Sequence, residues 1–138
     1  MNEGWLNNDY LVLFSSEESD ERSRKYRIDE YLPGYKLLGL KGWDDFIVLS
    51  PDGDTSTVPT VPLIGKYLKP IQLPLSMALE PDPRLMERIK WYITPLVFGG
   101  SLESAENMTW LTHEQHVQAV TWWNAKYREL STQTGEHE

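Results

Sequence analysis

The side chains able to do more than pack fall in three places: Asp44 and Asp45 after Trp43, Asp52 and Asp54 around Gly53, and His113 with His116. Adjacent residues on a strand face opposite ways, so Asp44 and Asp45 are not expected to form a matched acid–base pair. Beside an indole they offer negative charge next to an aromatic anchor, the composition of a binding hot spot. An Asp-x-Asp can bracket a metal ion, but Asp52-Gly53-Asp54 follows Pro51, and in such a turn Asp bonds to nearby backbone. The two histidines are spaced i, i+3, not the i, i+4 of zinc proteases, and a zinc site needs three or four ligands. Gly99-Gly100-Ser101 has no following Lys and reads as a tight reversal. Ser15, Ser16 and Ser50 lack a Gly-x-Ser-x-Gly elbow. The expectation is a protein that binds and is not an enzyme, with no metal or cofactor.

These residues must be positioned by strands and by one long helix. Asp9–Phe14 is aromatic and β-branched and reads as a strand. Acids precede bases between Ser15 and Arg27, as a short helix prefers. Pro33-Gly34 turns the chain, Lys36–Leu40 is the next strand, and Lys41-Gly42 reverses it into Asp45–Ser50. The Pro-Asp-Gly turn then leads into a Thr/Val run whose Pro59 and Pro62 place it at a sheet edge. Residues 69–83 read as a proline-rich irregular crossover. Leu85, Ile89 and Tyr92 repeat at helical spacing, which predicts a short helix over Arg84–Ile93. Thr112 with Gln115 has capping-box spacing, and Val117, Val120, Trp123, Tyr127 and Leu130 form one stripe of a helix over Thr112–Leu130. Trp122, about 100° around the axis from Trp123, belongs at the margin of that stripe. The expected fold is α+β: an antiparallel sheet of four to six strands packed chiefly by the C-terminal helix. Residues 1–130 read as one domain, and 131–138 as a polar, frayed tail.

Composition limits the partners. The 138 residues carry 21 acids and 13 bases, a formal charge of −8. Up to Pro70 there are 12 acids and 8 bases, and beyond it 9 and 5, so each half carries −4. A uniformly acidic domain is a poor grip for a phosphate backbone and attracts a basic partner instead. There is no Cys, no apolar run of the roughly 20 residues a membrane span needs, and no secretory signal at Met1-Asn2-Glu3-Gly4-Trp5, so a cytoplasmic address is expected. Six Trp and seven Tyr supply either core or contact surface.

Several segments in order resemble the SUKH superfamily, the Smi/Knr-like proteins that include many bacterial toxin-immunity proteins. The matching residues are Gly4-Trp5, Tyr10–Phe14 followed by Ser16-Glu17-Glu18, Tyr31-Leu32-Pro33-Gly34-Tyr35, Leu38-Gly39, Gly42, Phe46-Ile47-Val48, Asp52-Gly53 and Val58-Pro59. They cover about 60 residues in family order. Members usually carry a preceding helical segment. This chain begins near the turn that follows it, so either its start lies downstream of the family norm or the C-terminal helix covers the sheet face otherwise left open. The resemblance implies a non-catalytic interaction domain, most simply an immunity protein that occludes a basic toxin domain. Trp43, Asp44, Asp45, Asp52 and Asp54 are the expected contact surface. A regulatory or scaffolding module without a toxin is the alternative, and neighbouring genes separate the two. A third reading is a small-molecule site or enzyme around an aromatic pocket of Trp91, Trp110 or Trp122, favoured by a deep pocket with a strongly perturbed carboxylate. The sequence leaves the oligomeric state open.

Overall fold

A computed structural model describes residues 2–73, 79–94, 98–100 and 105–133. The fold is α+β. Six strands form one antiparallel meander in sequence order: β1 (Asn2–Leu6), β2 (Asp9–Leu13), β3 (Lys36–Lys41), β4 (Asp45–Leu49), β5 (Thr55–Pro59) and the two-residue β6 (Lys69–Pro70). Two helices, α1 (Ser16–Lys25) and α2 (Ile28–Tyr31), fill the β2–β3 connection. A second, two-stranded sheet pairs β7 (Ile89–Tyr92) with β8 (Met108–Leu111) and leads into α3 (His113–Gln133).

Side-chain alternation decides which face is which. Tyr10 and Val12 join the main core, whereas Leu11 and Leu13 point to the opposite face. In β3 the register shifts between Leu37 and Gly39, so Leu37 and Leu40 share the main core although they are an odd three positions apart. A Cβ on Gly39 would run into the Val12 carbonyl oxygen, so only glycine lets the strands close at this bulge. The main core packs Leu37, Leu40, Phe46, Val48 and Val58 of the sheet against Tyr26, Ile28 and Leu32, against Ile89 and Trp91 of β7, and against Val117 and Val120 of α3. The opposite face carries a smaller cluster of Leu11, Ile47 and Leu79.

Both long helices begin with reciprocal caps. Ser15 Oγ accepts from Glu18 N–H while the Glu18 carboxylate accepts from Ser15 N–H, and Thr112 and Gln115 make the same exchange. The helix expected over Arg84–Ile93 is instead a turn followed by β7. Ile89 and Trp91 are buried and Lys90 and Tyr92 half-buried, the two-residue period of a strand. The helical spacing of Leu85, Ile89 and Tyr92 was coincidental, and pairing with Thr109 and Trp110 overrides it. Strand β1 also lay outside the sequence reading; Asn7, with φ of 56°, closes a two-residue hairpin to β2. The α3 backbone continues to Gln133, past the expected start of the frayed tail, and residues 134–138 lie outside those described. Ser101 of the glycine reversal also lies outside them.

Candidate functional site

The β3–β4 turn builds one end of the sheet into a pocket. Gly42 (φ 60°) and Trp43 (φ 64°) are consecutive left-handed residues between the paired Lys41 and Asp45. A left-handed tryptophan is costly, and packing holds it there. The Trp43 ring stacks on Tyr10 at 4.9 Å and 14°, and meets Trp5 and Trp110 edge-on at 6.1 and 5.2 Å. It is 8% exposed, and its Nε1 has no polar partner. Trp43 is therefore a core pivot, and the aromatic groups next to the acids are supplied from β7.

That pivot swings Asp44 out of the strand before β4 begins. Asp44 and Asp45 both border one pocket, but Asp45 pairs with Lys41 on the sheet face of Ile47, while Asp44 faces Lys90 of β7. The remaining walls are Pro59, Thr60 and Val61 beyond β5, and Trp91 and Tyr92 of β7, around a volume of about 210 Å³. Each wall is pinned. Thr60 N–H donates to the Asp44 carbonyl at 3.0 Å. Buried Asn124 of α3 accepts from Leu63 N–H and donates to the Thr60 carbonyl, both at 2.8 Å. Trp91 packs edge-to-face on His116 at 5.3 Å.

The electrostatics of the pocket are those of anions short of a counter-charge. Burial among these walls pushes the Asp44 carboxyl up to about 6, only partly opposed by Lys90 and reinforced by Asp45. Asp44 is exposed to solvent, yet enough protein lies around it to disfavour its charge. Burial also raises Asp45, with Lys41 and Lys69 opposing and Asp9 reinforcing. Among the described residues neither carboxylate forms an ion pair; the nearest cations pair elsewhere or not at all. Lys90 Nζ lies 5.4 Å from the Tyr92 ring centroid.

Asp52 and Asp54 stand at the other end of β4, roughly 15 Å away by strand rise. Their backbone N–H groups donate to Ser50 Oγ at 3.2 and 3.0 Å, and Gly53, at φ 92°, completes the turn. Both are exposed and border a wider depression with Tyr35, Leu68 and Ile71. The five residues expected to form one contact surface thus divide into a buried pivot, two acids in a pocket and two acids on a distant tip. The three tryptophans of the third reading separate as well. Trp91 floors the acidic pocket, Trp110 packs on Trp43, and Trp122 is 58% exposed on α3.

No protein-family model, curated protein or solved structure matches this chain. The site is accordingly read from its own geometry. His116 is fully buried, with Nδ1 2.6 Å from the Tyr26 hydroxyl and Nε2 without a polar partner among the rings of Phe46 and Trp91. Burial holds its pKa down to about 3, and that of His113 to about 4, so both are neutral packing groups near neutral pH. Among the described residues no group of three or more His, Asp or Glu could hold a metal ion, and no helix is long and apolar enough to cross a membrane. Sequence reasoning missed Tyr92, Thr60, Val61 and Asn124. The available signal was the alternating Ile-Lys-Trp-Tyr run, which marks a strand carrying two rings toward neighbouring elements.

Proposed function

We propose that this domain is a protein-interaction module that neutralises a cognate bacterial toxin by binding it, and that the toxin surface it meets is basic. The observation that carries the reading is the charge-disfavoured Asp44, without an ion pair among the described residues and bordering an aromatic-lined pocket, in a chain with charge −8. Anions kept in place without a cation are disfavoured in the free protein, and a basic partner relieves that cost on docking. The resemblance of the first 59 residues to SUKH immunity proteins supports the same reading, as does the overall acidity, which speeds encounter with a basic surface.

A second reading, a small-molecule or catalytic site, is favoured by the same Asp44, because perturbed carboxylates gather at active sites. The small volume of this pocket, about 210 Å³ against the ~300–1,000 Å³ usual for ligand sites, favours the interaction reading. The test is co-expression with toxins encoded beside the gene. Protection, together with a stable complex at micromolar concentration or below, is the expected result. Absence of both for every neighbouring toxin overturns the proposal.

A further inference from the structure

We propose that the groove between β1, the turn 82–85 and the β7–β8 sheet is a docking site for the carboxy-terminal residue of a protein partner. The apolar side chain of that residue enters among the tryptophans, and its carboxylate bonds to Arg84. This assignment rests on the reading of the domain as an interaction module, and not on the acids of β4.

Direct contacts tie the groove together. Trp5 of β1 and Trp110 of β8 each meet the Trp43 ring edge-on, at 6.1 and 5.2 Å, and with Leu85 and Met108 they line a volume of about 420 Å³. The Trp5 N–H and C=O exchange hydrogen bonds with Glu80 at 2.8 and 2.9 Å, which fastens the following segment along β1. There Leu85 N–H closes a turn onto the Asp82 carbonyl at 3.0 Å. The Asp82 side chain, 10% exposed, accepts from Trp5 Nε1 at 3.2 Å and from Arg84 Nε and Nη2 at 3.0 and 2.9 Å. One edge of the guanidinium is thus spent on Asp82. The other edge, Nη1 and the second Nη2 proton, bonds to nothing among the described residues, and the Arg84 side chain is exposed. Lys90, which also faces Asp44, stands opposite Trp110 in the β7–β8 register and brings a second cation to the groove.

These walls select the occupant. Tryptophans beside an ordered arginine are the composition of an interaction hot spot. Met108 and Trp110, each 37% exposed, offer apolar surface that a hydrophobic side chain covers. Because Asp82 holds Arg84 in place, a carboxylate meets a fork already oriented, and little further side-chain freedom is lost on binding. Asp82 offsets much of the Arg84 charge, so what remains is direction, with Lys90 supplying positive charge. A cationic ligand would meet both bases while the Asp82 oxygens are already taken. A wholly apolar one would cover the open edge of Arg84 without pairing it. A chain end carries carboxylate and side chain on one Cα, so ordering a single residue satisfies fork and rings together. The volume lies within the ~300–1,000 Å³ of small-ligand sites, yet the groove is open beside Arg84 and Met108, where a free small molecule would stay wet. The rest of a partner chain supplies the cover.

The experiment titrates acetyl-Gly-Phe, as the free acid, into isotope-labelled protein and follows the indole N–H signals by NMR. Saturable shifts at millimolar concentration or below are expected at Trp5 and Trp110, and none at the exposed Trp122. The carboxamide twin should bind about fivefold more weakly, as loss of an exposed charge-assisted fork does. Acetyl-Gly-Gly acid, which lacks the ring, should bind about tenfold more weakly. Arg84→Gln should abolish the preference for acid over amide, and Arg84→Lys, which keeps the charge without the fork, should abolish most of it. Asp82→Asn still offers Trp5 an acceptor but releases Arg84, so the acid should lose affinity while the amide does not. Met108→Glu sets a like charge at the rim and should weaken the acid more than the amide. Two controls separate the sources of a carboxylate. Acetyl-Phe-Asp-Gly-amide carries it inside a chain and 3-phenylpropanoate carries it on no chain, and both should bind more weakly than the acid peptide. Either control binding as tightly overturns the assignment. So do no saturation at millimolar peptide, equal binding of acid and amide, an unchanged preference in Arg84→Gln, and shifts confined to Trp122. If a toxin is bound equally by wild type and by the double Arg84→Gln/Met108→Glu variant, the groove assignment falls while the interaction reading stands. If the peptide saturates the groove yet no neighbouring toxin is neutralised, the toxin reading falls and the groove remains.

Discussion

The two ends of β4 carry the same residue type in two different situations. At the tip, Asp52 and Asp54 project into water, and what holds the turn is the Ser50 hydroxyl accepting from their backbone N–H groups. At the base, Asp44 is exposed and Asp45 half-buried, but both border a pocket with proline, valine, Trp91 and Tyr92, and the protein around them raises both carboxyls. An acid at the tip shapes the chain. An acid at the base is disfavoured in its charged form by the protein around it. The difference lies in the neighbours, and those come from α3 and β7, far along the sequence.

The largest expected effect strikes the floor of the base. His116 supports Trp91 and stays neutral down to about pH 3, while an unfolded chain protonates its histidines near 6.5. Between those values the unfolded state binds more protons, so stability is full above about 6.5 and falls as pH drops toward 3. The groups around the imidazole are Tyr26, Phe46, Trp91, His113 and Arg22. One such histidine costs about 1.4 kcal/mol per pH unit, and His113 adds its share down to about pH 4. Urea unfolding at a series of pH values should show this slope, and His116→Gln should flatten it whatever its stability at pH 7.5.

Next comes the pin between helix and pocket rim. Asn124→Ala strands the Leu63 N–H and Thr60 carbonyl in a buried place and should cost about 2–4 kcal/mol. Hydrogen exchange should accelerate at Leu63 before the tip amides of Gly53 and Asp54 change. Equal acceleration at both ends would mean that the base has no separate fastening.

Asp44→Asn works in the opposite direction to the histidines. The folded protein keeps the Asp44 proton up to about pH 6, and the unfolded chain releases it near 3.8. The folded state therefore binds more protons in between, and the ionised carboxylate lowers stability above pH 6, a cost that disappears below about 4. Because the side chain retains solvent contact, the gain from Asn at pH 7.5 should be about 1 kcal/mol after screening, and nil at pH 3.5. A destabilised Asn variant at pH 7.5 would show that the carboxylate already has a partner.

Much of the sheet was legible because strand periodicity is local. The runs 9–14, 36–40 and 45–50 carry their own alternation, and the caps at Ser15 and Thr112 are three-residue patterns. The base of the pocket was not legible, for two physical reasons. A positive φ at Trp43 removes Asp44 from the alternation that the sequence suggests, and no residue type announces a left-handed tryptophan. The second reason is distance along the chain. Trp91 and Tyr92 reach Asp44 only because β7 pairs with β8 and packs under α3, and Leu85 lent β7 a false helical rhythm. The acids themselves were found, but the left-handed turn at Trp43 that precedes them was not.

The smallest effect belongs to the tip. Asp52→Asn and Asp54→Asn leave the backbone bonds to Ser50 in place and should change stability by less than about 0.5 kcal/mol, the usual range for surface substitutions. Affinity for a basic partner docked at Asp44 should also be unchanged at about 0.15 M ionic strength. The tip lies roughly 15 Å from the pocket, beyond a Debye length of about 8 Å. At about 0.01 M salt the Debye length grows to about 30 Å, and the same substitutions should slow association with a basic toxin through the weakened long-range field. A tip variant that weakened toxin binding as much as Asp44→Asn does, at the higher ionic strength, would mean that the two ends of β4 act as one surface. The base would then owe nothing to its aromatic walls, because total charge alone would account for binding.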